Sequence, residues 1–158
     1  MQKVTILNSR QIRDLNAHLI TQFGYALSSE YAYLLTDKNK IFLVNKDVVK
    51  LELKNLIIDR LGLYFGMWNE TEVRLSKEGT QLLVLNAQKE KKPILNLIEL
   101  TEEETKKYFS GTDLSKDLGE KAKLVILTYK KEVLGCAKYK EKKIINFLPK
   151  ANRGEVIL

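Results

Sequence analysis

One cysteine and one histidine are all that this 158-residue chain holds of the two side chains most used to ligate zinc. A lone Cys136 forms no internal disulfide and no Cys-x-x-Cys knuckle, and His18 alone cannot complete a Cys/His site. Glycine-rich phosphate loops are missing too. Gly62 and Gly66 lie four apart with no Lys-Ser/Thr after them, and no GxGxxG opens a helix. Bulges or close backbone packing explain these two glycines better. No apolar run approaches about 18 residues, so no spanning helix is expected. The start MQKVTILNSR lacks the basic, apolar and small-residue blocks of a secretory signal, and a cytoplasmic location is the expectation.

Catalytic constellations are equally scarce. Cys136 falls inside an apolar strand pattern, which predicts a buried, inert thiol. His18 falls on the polar flank of a helix and reads as a surface histidine. Among twenty carboxylates an accidental pair is always available, so Asp113 and Asp117 carry no acid–base signal. The sequence therefore predicts no enzyme, no cofactor and no metal.

What the chain does have is charge in an uneven distribution. Apolar residues at 44% and charged residues at 30% describe a globular protein of one ordinary or two small domains. The net charge of +7 lies wholly in the last quarter. Residues 1–120 hold 17 basic and 17 acidic side chains, whereas residues 121–158 hold 10 and 3. Positive charge concentrated on a folded element suits a polyanion, because each phosphate contacted releases counterions. A lysine-rich solubilising surface is the other reading. The stretch KYKEKKIINFLPKANRG (138–154) sharpens the choice, since it sets an apolar run of strand type among six basic residues.

Periodicity supplies the framework. Asn8 or Ser9 caps a helix with Ile12, Leu15, Leu19 and Phe23 on one face, and Gly24 ends it. YAYLLT (31–36) and IFLV (41–44) read as a hairpin, and Asn45 caps a short helix carrying Val48, Val49 and Leu51. RLGLYFGMW (60–68) and EVRLS (72–76) form a second strand pair. LLVL (82–85) fits helix or strand, and its polar flanks favour helix. QKEKKP (88–93) is the predicted domain boundary, giving domains of 1–92 and 93–158. Beyond it ILNLIEL (94–100) alternates as a strand, and Thr101 with Glu104 makes a capping box for a helix that Gly111 stops. AKLVILTY (122–129), EVLGCAKY (132–139) and KIINFLP (143–149) read as three strands with lysine-rich turns.

From Leu95 onward the chain resembles the PUA domain, a small RNA-binding pseudobarrel. EETKKYFSGTDL is similar to that family's helix and glycine turn, and KAKLVILTYKKEVLGCAKYK to its strand pair with a Leu-Gly motif, here Leu134-Gly135. Ala137 stands where the family often has a second glycine. IINFLPKANRG is similar to the close of the RNA-binding tail of Sun-type RNA cytosine-5 methyltransferases, although nothing here resembles their methyltransferase domain. IFLVNKDVVKL, LGLYFGMW and VRLSKEGTQLL resemble the pre-PUA domain of the nuclear import protein seven family of ribosome-biogenesis factors.

The resemblance implies an α+β fold, with an N-terminal α/β pre-PUA domain followed by a C-terminal PUA-like β pseudobarrel, closed or nearly so. It implies an RNA partner, ribosomal or transfer RNA. The RNA would lie at the helix end with Lys107, at the turn of Gly111, Thr112 and Leu114, and along the last strands. Gly111 lacks a Cβ and would let a phosphate approach the backbone. Gly135, Lys138, Lys140, Lys142, Lys143, Lys150 and Arg153 complete the expected site. Asn146 either reads a base edge or 2′-hydroxyl, or bonds a strand end. A second reading makes the protein an adaptor whose N-terminal half docks an RNA methyltransferase or ribosome-assembly factor. The aromatics Tyr31, Tyr33, Tyr64 and Trp68 would serve that contact, unless they pack in the core.

Overall fold

The computed structural model describes residues 3–27, 30–46 and 62–155. The helix expected after Asn45 lies outside them. The fold is mixed α and β, built on two five-stranded sheets. The first is an antiparallel meander in spatial order β1 (Val4–Ile6), β2 (Tyr31–Thr36), β3 (Lys40–Asn45), β4 (Leu63–Trp68) and β5 (Val73–Leu75). The second runs β6 (Leu97–Glu99), β8 (Lys123–Tyr129), β9 (Glu132–Lys140), β10 (Lys143–Ile145) and β7 (Leu114–Ser115). Among the described residues only β6 pairs in parallel, with β8, because a helix crosses over between them.

Helix α1 (Ser9–Phe23) starts where expected. Asn8 Oδ1 accepts from the Gln11 N–H, and the Gln11 side chain answers at the Asn8 N–H. Gly24 closes it at φ 75°. The ambiguous LLVL segment lies within α2 (Lys77–Lys89), capped by Ser76. The capping box predicted at Thr101 and Glu104 opens α3 (Glu102–Phe109).

Two apolar clusters meet at β8 and β9. Leu15, Leu19 and Phe23 of α1 and Leu83, Val84 and Ala87 of α2 cover Tyr33, Ile41, Leu43, Phe65 and Val73 of the first sheet. Leu124, Ile126 and Cys136 of the second sheet belong to that same cluster. The alternate residues Val125, Leu127, Ala137 and Tyr139 turn the other way, onto Tyr108 of α3, Leu114, Ile144 and Leu148. Strand β8 is thus covered on both faces, which is why KLVILTY reads as a continuous apolar run instead of alternating.

Three readings gain detail. One of the two sheets forms a half-barrel, and the second sheet has β6 and β7 at its edges. The strand read over 143–149 ends at Ile145, and the one read over 94–100 spans only Leu97–Glu99. Tyr33 is 1% exposed and belongs to the core, while Tyr31 and Trp68 pack against its edge. Tyr64 is the one of the four aromatics that stands outside both clusters.

The halves of the chain are also stitched by polar contacts. The Leu95 N–H donates to Phe23 O at 2.7 Å, and Asn96 Nδ2 to Gln22 O at 2.7 Å. Lys138 Nζ meets Glu72 Oε2 at 2.7 Å, and the Arg74 guanidinium lies 3.7 Å from the Phe147 ring centroid.

Candidate nucleic-acid interface

Predicted site residues gather near the two ends of strand β10, which pairs with β9 on one side and the edge strand β7 on the other. At one end is the β9–β10 turn, a two-residue loop with Glu141 at φ 52° and Lys142 at φ 60°. Both values are left-handed, the geometry that matches strand twist in a tight hairpin. The turn places Lys140 and Lys143 directly opposite each other. Like charges in that position repel and cost stability. Both are exposed, and neither has an ion pair among the described residues. Lys142 reaches only Asp117, at 4.0 Å, with both side chains about two-thirds exposed (63% and 66%). Such a contact holds the ammonium weakly. Lys150, on a short 3-10 turn (Lys150–Asn152), is also exposed.

At the other end of β10, about 10 Å away by strand rise, lies the C-terminus of α3. The Gly111 N–H donates to Tyr108 O at 3.0 Å and the Thr112 N–H to Lys107 O at 3.1 Å, with Gly111 at φ 87°. That is a complete Schellman closure, for which glycine is the favoured residue. The tail folds back over it. The Gly154 N–H donates to Phe109 O at 2.8 Å, and Arg153 Nε donates to Leu148 O at 2.9 Å. A Cβ on Gly111 would stand 2.5 Å from Arg153 Cδ and 2.6 Å from its Nε. The space expected to admit a phosphate holds the Arg153 arm. The guanidinium sits at the carbonyl end of the helix, where a cation is favoured.

Other predicted residues have internal roles. Asn146 follows the strand-end alternative. Its Nδ2 donates to Tyr108 O at 2.7 Å and Thr112 O at 3.0 Å, and its Oδ1 accepts from the Leu148 N–H at 2.8 Å. Its own N–H donates to Asp113 Oδ1 at 2.9 Å, so this residue ends β10 by replacing the ladder. Both amide protons are engaged, which leaves no donor for a base. Leu114 is 3% exposed, and its side chain lies in the second core cluster. Gly135 is buried at a bulge in the β8–β9 pairing, and a Cβ there would meet the Tyr108 hydroxyl at 3.0 Å. Lys138 faces the first sheet and is tied to Glu72, with side chains only 25% and 22% exposed. Lys107 is exposed and loosely paired with Glu103 at 3.5 Å.

The loop leading to β8 is fixed from the core. Tyr139 Oη accepts from the Leu118 N–H at 2.9 Å and donates to Gly119 O at 2.7 Å. Lys116 Nζ contacts both Glu104 oxygens at 3.2 Å. Burial pulls the Glu104 carboxyl up, yet the Thr101 N–H and Lys116 outweigh it and hold it below its ordinary 4.5.

The groups named for nucleophilic chemistry stay apart from this edge. Burial pushes the Cys136 thiol up to about 12. His18 is half-buried beside Trp68, edge to face at 6.4 Å, in an open cleft with Asp14, Asn39 and Glu70. Among the described residues no group of His, Cys, Asp or Glu is placed to hold a metal ion.

Sequence reading missed Arg74. It lies within the first three-quarters of the chain, where charges cancel, and only the fold brings it against Phe147.

Residues 95–153 match the family model of the methyltransferase RsmF PUA domain, somewhat over a third of the chain. No curated protein matches the chain. The segment carrying the lysine edge is therefore a PUA domain, preceded by a mixed α/β half with a sheet of its own.

Proposed function

We propose, on the strength of the PUA domain at 95–153, that this is a non-catalytic RNA-binding protein. Its partner would be structured ribosomal or transfer RNA, met in the cytoplasm during ribosome biogenesis or RNA modification. The observation that carries the reading is the β9–β10 turn of that domain. Lys140 and Lys143 face each other there without acidic partners among the described residues, beside a nearly free Lys142. A solubilising surface gains nothing from opposed like charges, whereas a phosphate backbone removes their repulsion and releases counterions. Arg153 and Lys150 extend the positive field past the far end of β10.

The test is a filter-binding titration of transfer RNA and ribosomal RNA fragments over a salt series. Wild-type affinity should fall steeply with salt. Lys140→Glu/Lys142→Glu/Lys143→Glu should lower the log–log slope by about 2 to 3, at roughly 0.7–0.9 per phosphate contact. The fold should stay intact, because all three side chains are exposed at a turn. Wild-type affinity and slope in the triple variant would remove this edge from the interface.

An adaptor role draws support from a different place. Ile20, Leu95 and Leu97 are 54%, 51% and 45% exposed around the junction of α1 and β6. Such surface suits a protein partner, and the methyltransferase or assembly-factor reading would use it.

A further inference from the structure

Tyr64 was left unexplained by the core, and its surroundings are cationic and aromatic. Along β2 to β5 the residues Tyr33, Ile41, Phe65, Val73 and Leu75 turn toward α1 and α2. The alternate residues Phe42, Tyr64 and Arg74 stand on the opposite face. Phe42 and Tyr64 are half-buried cross-strand partners with ring centroids 5.4 Å apart. Lys40 Nζ lies 5.7 Å from the Tyr64 centroid. Burial pushes the Tyr64 phenol above its ordinary 10 and the Arg74 charge pulls against it, which fits an exposed Arg74 close by. Arg74 in turn lies over Phe147, two residues past the end of β10. The row Phe42–Tyr64–Arg74–Phe147 thus crosses from the first sheet to the PUA domain. It joins the lysine edge through about four residues of chain.

We infer that this row is a stacking platform for an unpaired RNA segment running off the lysine edge. The inference rests on the RNA-binding reading and extends it to the preceding half of the molecule. Two features favour single-stranded RNA as the occupant. Aromatic rings and a guanidinium plane offer stacking to any base, but only to one free of its pair. Lys40 and Arg74 set positive charge beside the rings, where the backbone of a stacked strand would run. Glu72, two residues before Arg74 and just ahead of β5, is paired with Lys138. Phe147 also follows Lys143 of the β9–β10 turn by only four residues, so one RNA strand could reach from the turn to the row. A structured RNA would then place a helix at the turn and its single-stranded extension across the platform.

The experiment compares two labelled probes by fluorescence anisotropy at one salt concentration: a dodecauridylate and a 12-base-pair RNA duplex. Arg74→Lys keeps the charge and removes the plane, and Tyr64→Leu removes a ring. Each should weaken dodecauridylate binding about tenfold and leave the duplex unchanged. Tyr64→Phe, which keeps the ring, should bind as wild type. Melting curves show whether each variant is folded. Unchanged dodecauridylate affinity in folded Arg74→Lys and Tyr64→Leu overturns the platform, as do equal losses on both probes. The RNA-binding reading survives either result if the triple glutamate variant still loses affinity. If wild type binds neither probe and no transfer or ribosomal RNA, that reading falls and takes the platform with it.

Discussion

Replacing Gly111 by alanine should cost about 2 kcal/mol, and the cost should depend on Arg153. Two contributions add. At φ 87° a Cβ brings left-handed strain of about 1 kcal/mol. The new methyl would also stand 2.5 Å from Arg153 Cδ, so the arm must leave its seat. That breaks the Nε bond to Leu148 O, worth about 0.5–1.5 kcal/mol. Arg153→Ala alone should cost about 1 kcal/mol for the same bond. In the double variant the methyl has room, so only strain is added to the loss of the arm. The total should again be about 2 kcal/mol, against about 3 if the two effects were independent. Urea unfolding of all four proteins reads this coupling of about 1 kcal/mol directly. Additive losses, within about 0.5 kcal/mol, would refute the claim that the glycine exists to seat the arginine.

Other outcomes follow from contacts described above. Glu72→Gln should destabilise by about 1–2 kcal/mol, between the values for exposed and buried pairs, because it strands a largely covered Lys138. Lys138→Met should lower stability yet leave RNA affinity unchanged, and the opposite pattern would return Lys138 to the interface. The Lys130-Lys131 turn has φ of 47° and 67°, so Lys131→Gly should raise the Tm by about 2–4 °C in a thermal scan. An unchanged or lower Tm would show that the lysine is unstrained there. Glu104 is held below its ordinary 4.5, so its stabilisation is complete above that value and lost as pH falls through the lower folded one. Acid titration should show Glu104→Gln losing less stability than wild type below about pH 4.5, and equal losses would remove this carboxylate from the acid response.

Local signals made much of the fold legible. The caps at Asn8 and Thr101, the stops at Gly24 and Gly111 and the long strands β8 and β9 each declare themselves within a few residues. Strands β1 and β7, of three and two residues, are too short to show a period, and they exist only because a neighbour pairs with them. The lysines of the β9–β10 turn were readable because charge at a turn faces solvent whatever the topology. Lys138 and Asn146 were not, since their partners Glu72, Tyr108 and Thr112 lie 34 to 66 residues away in sequence. Arg74 was hidden for the same reason. The use of Gly111 was half legible, in that sequence shows the stop but not the arm that fills it.

The shared apolar cluster has a consequence for the chain while it is being made. Leu124, Ile126 and Cys136 cover residues contributed by α1, α2 and the first sheet. Synthesis delivers the earlier elements first. At about 5–20 residues per second, the roughly forty residues between Pro93 and Cys136 take some seconds to follow. For that interval the emerging first half keeps an apolar flank open, and it closes only when β8 and β9 arrive as a hairpin. The strand pair that leads into the lysine-rich β9–β10 turn is also the piece that finishes the nascent core.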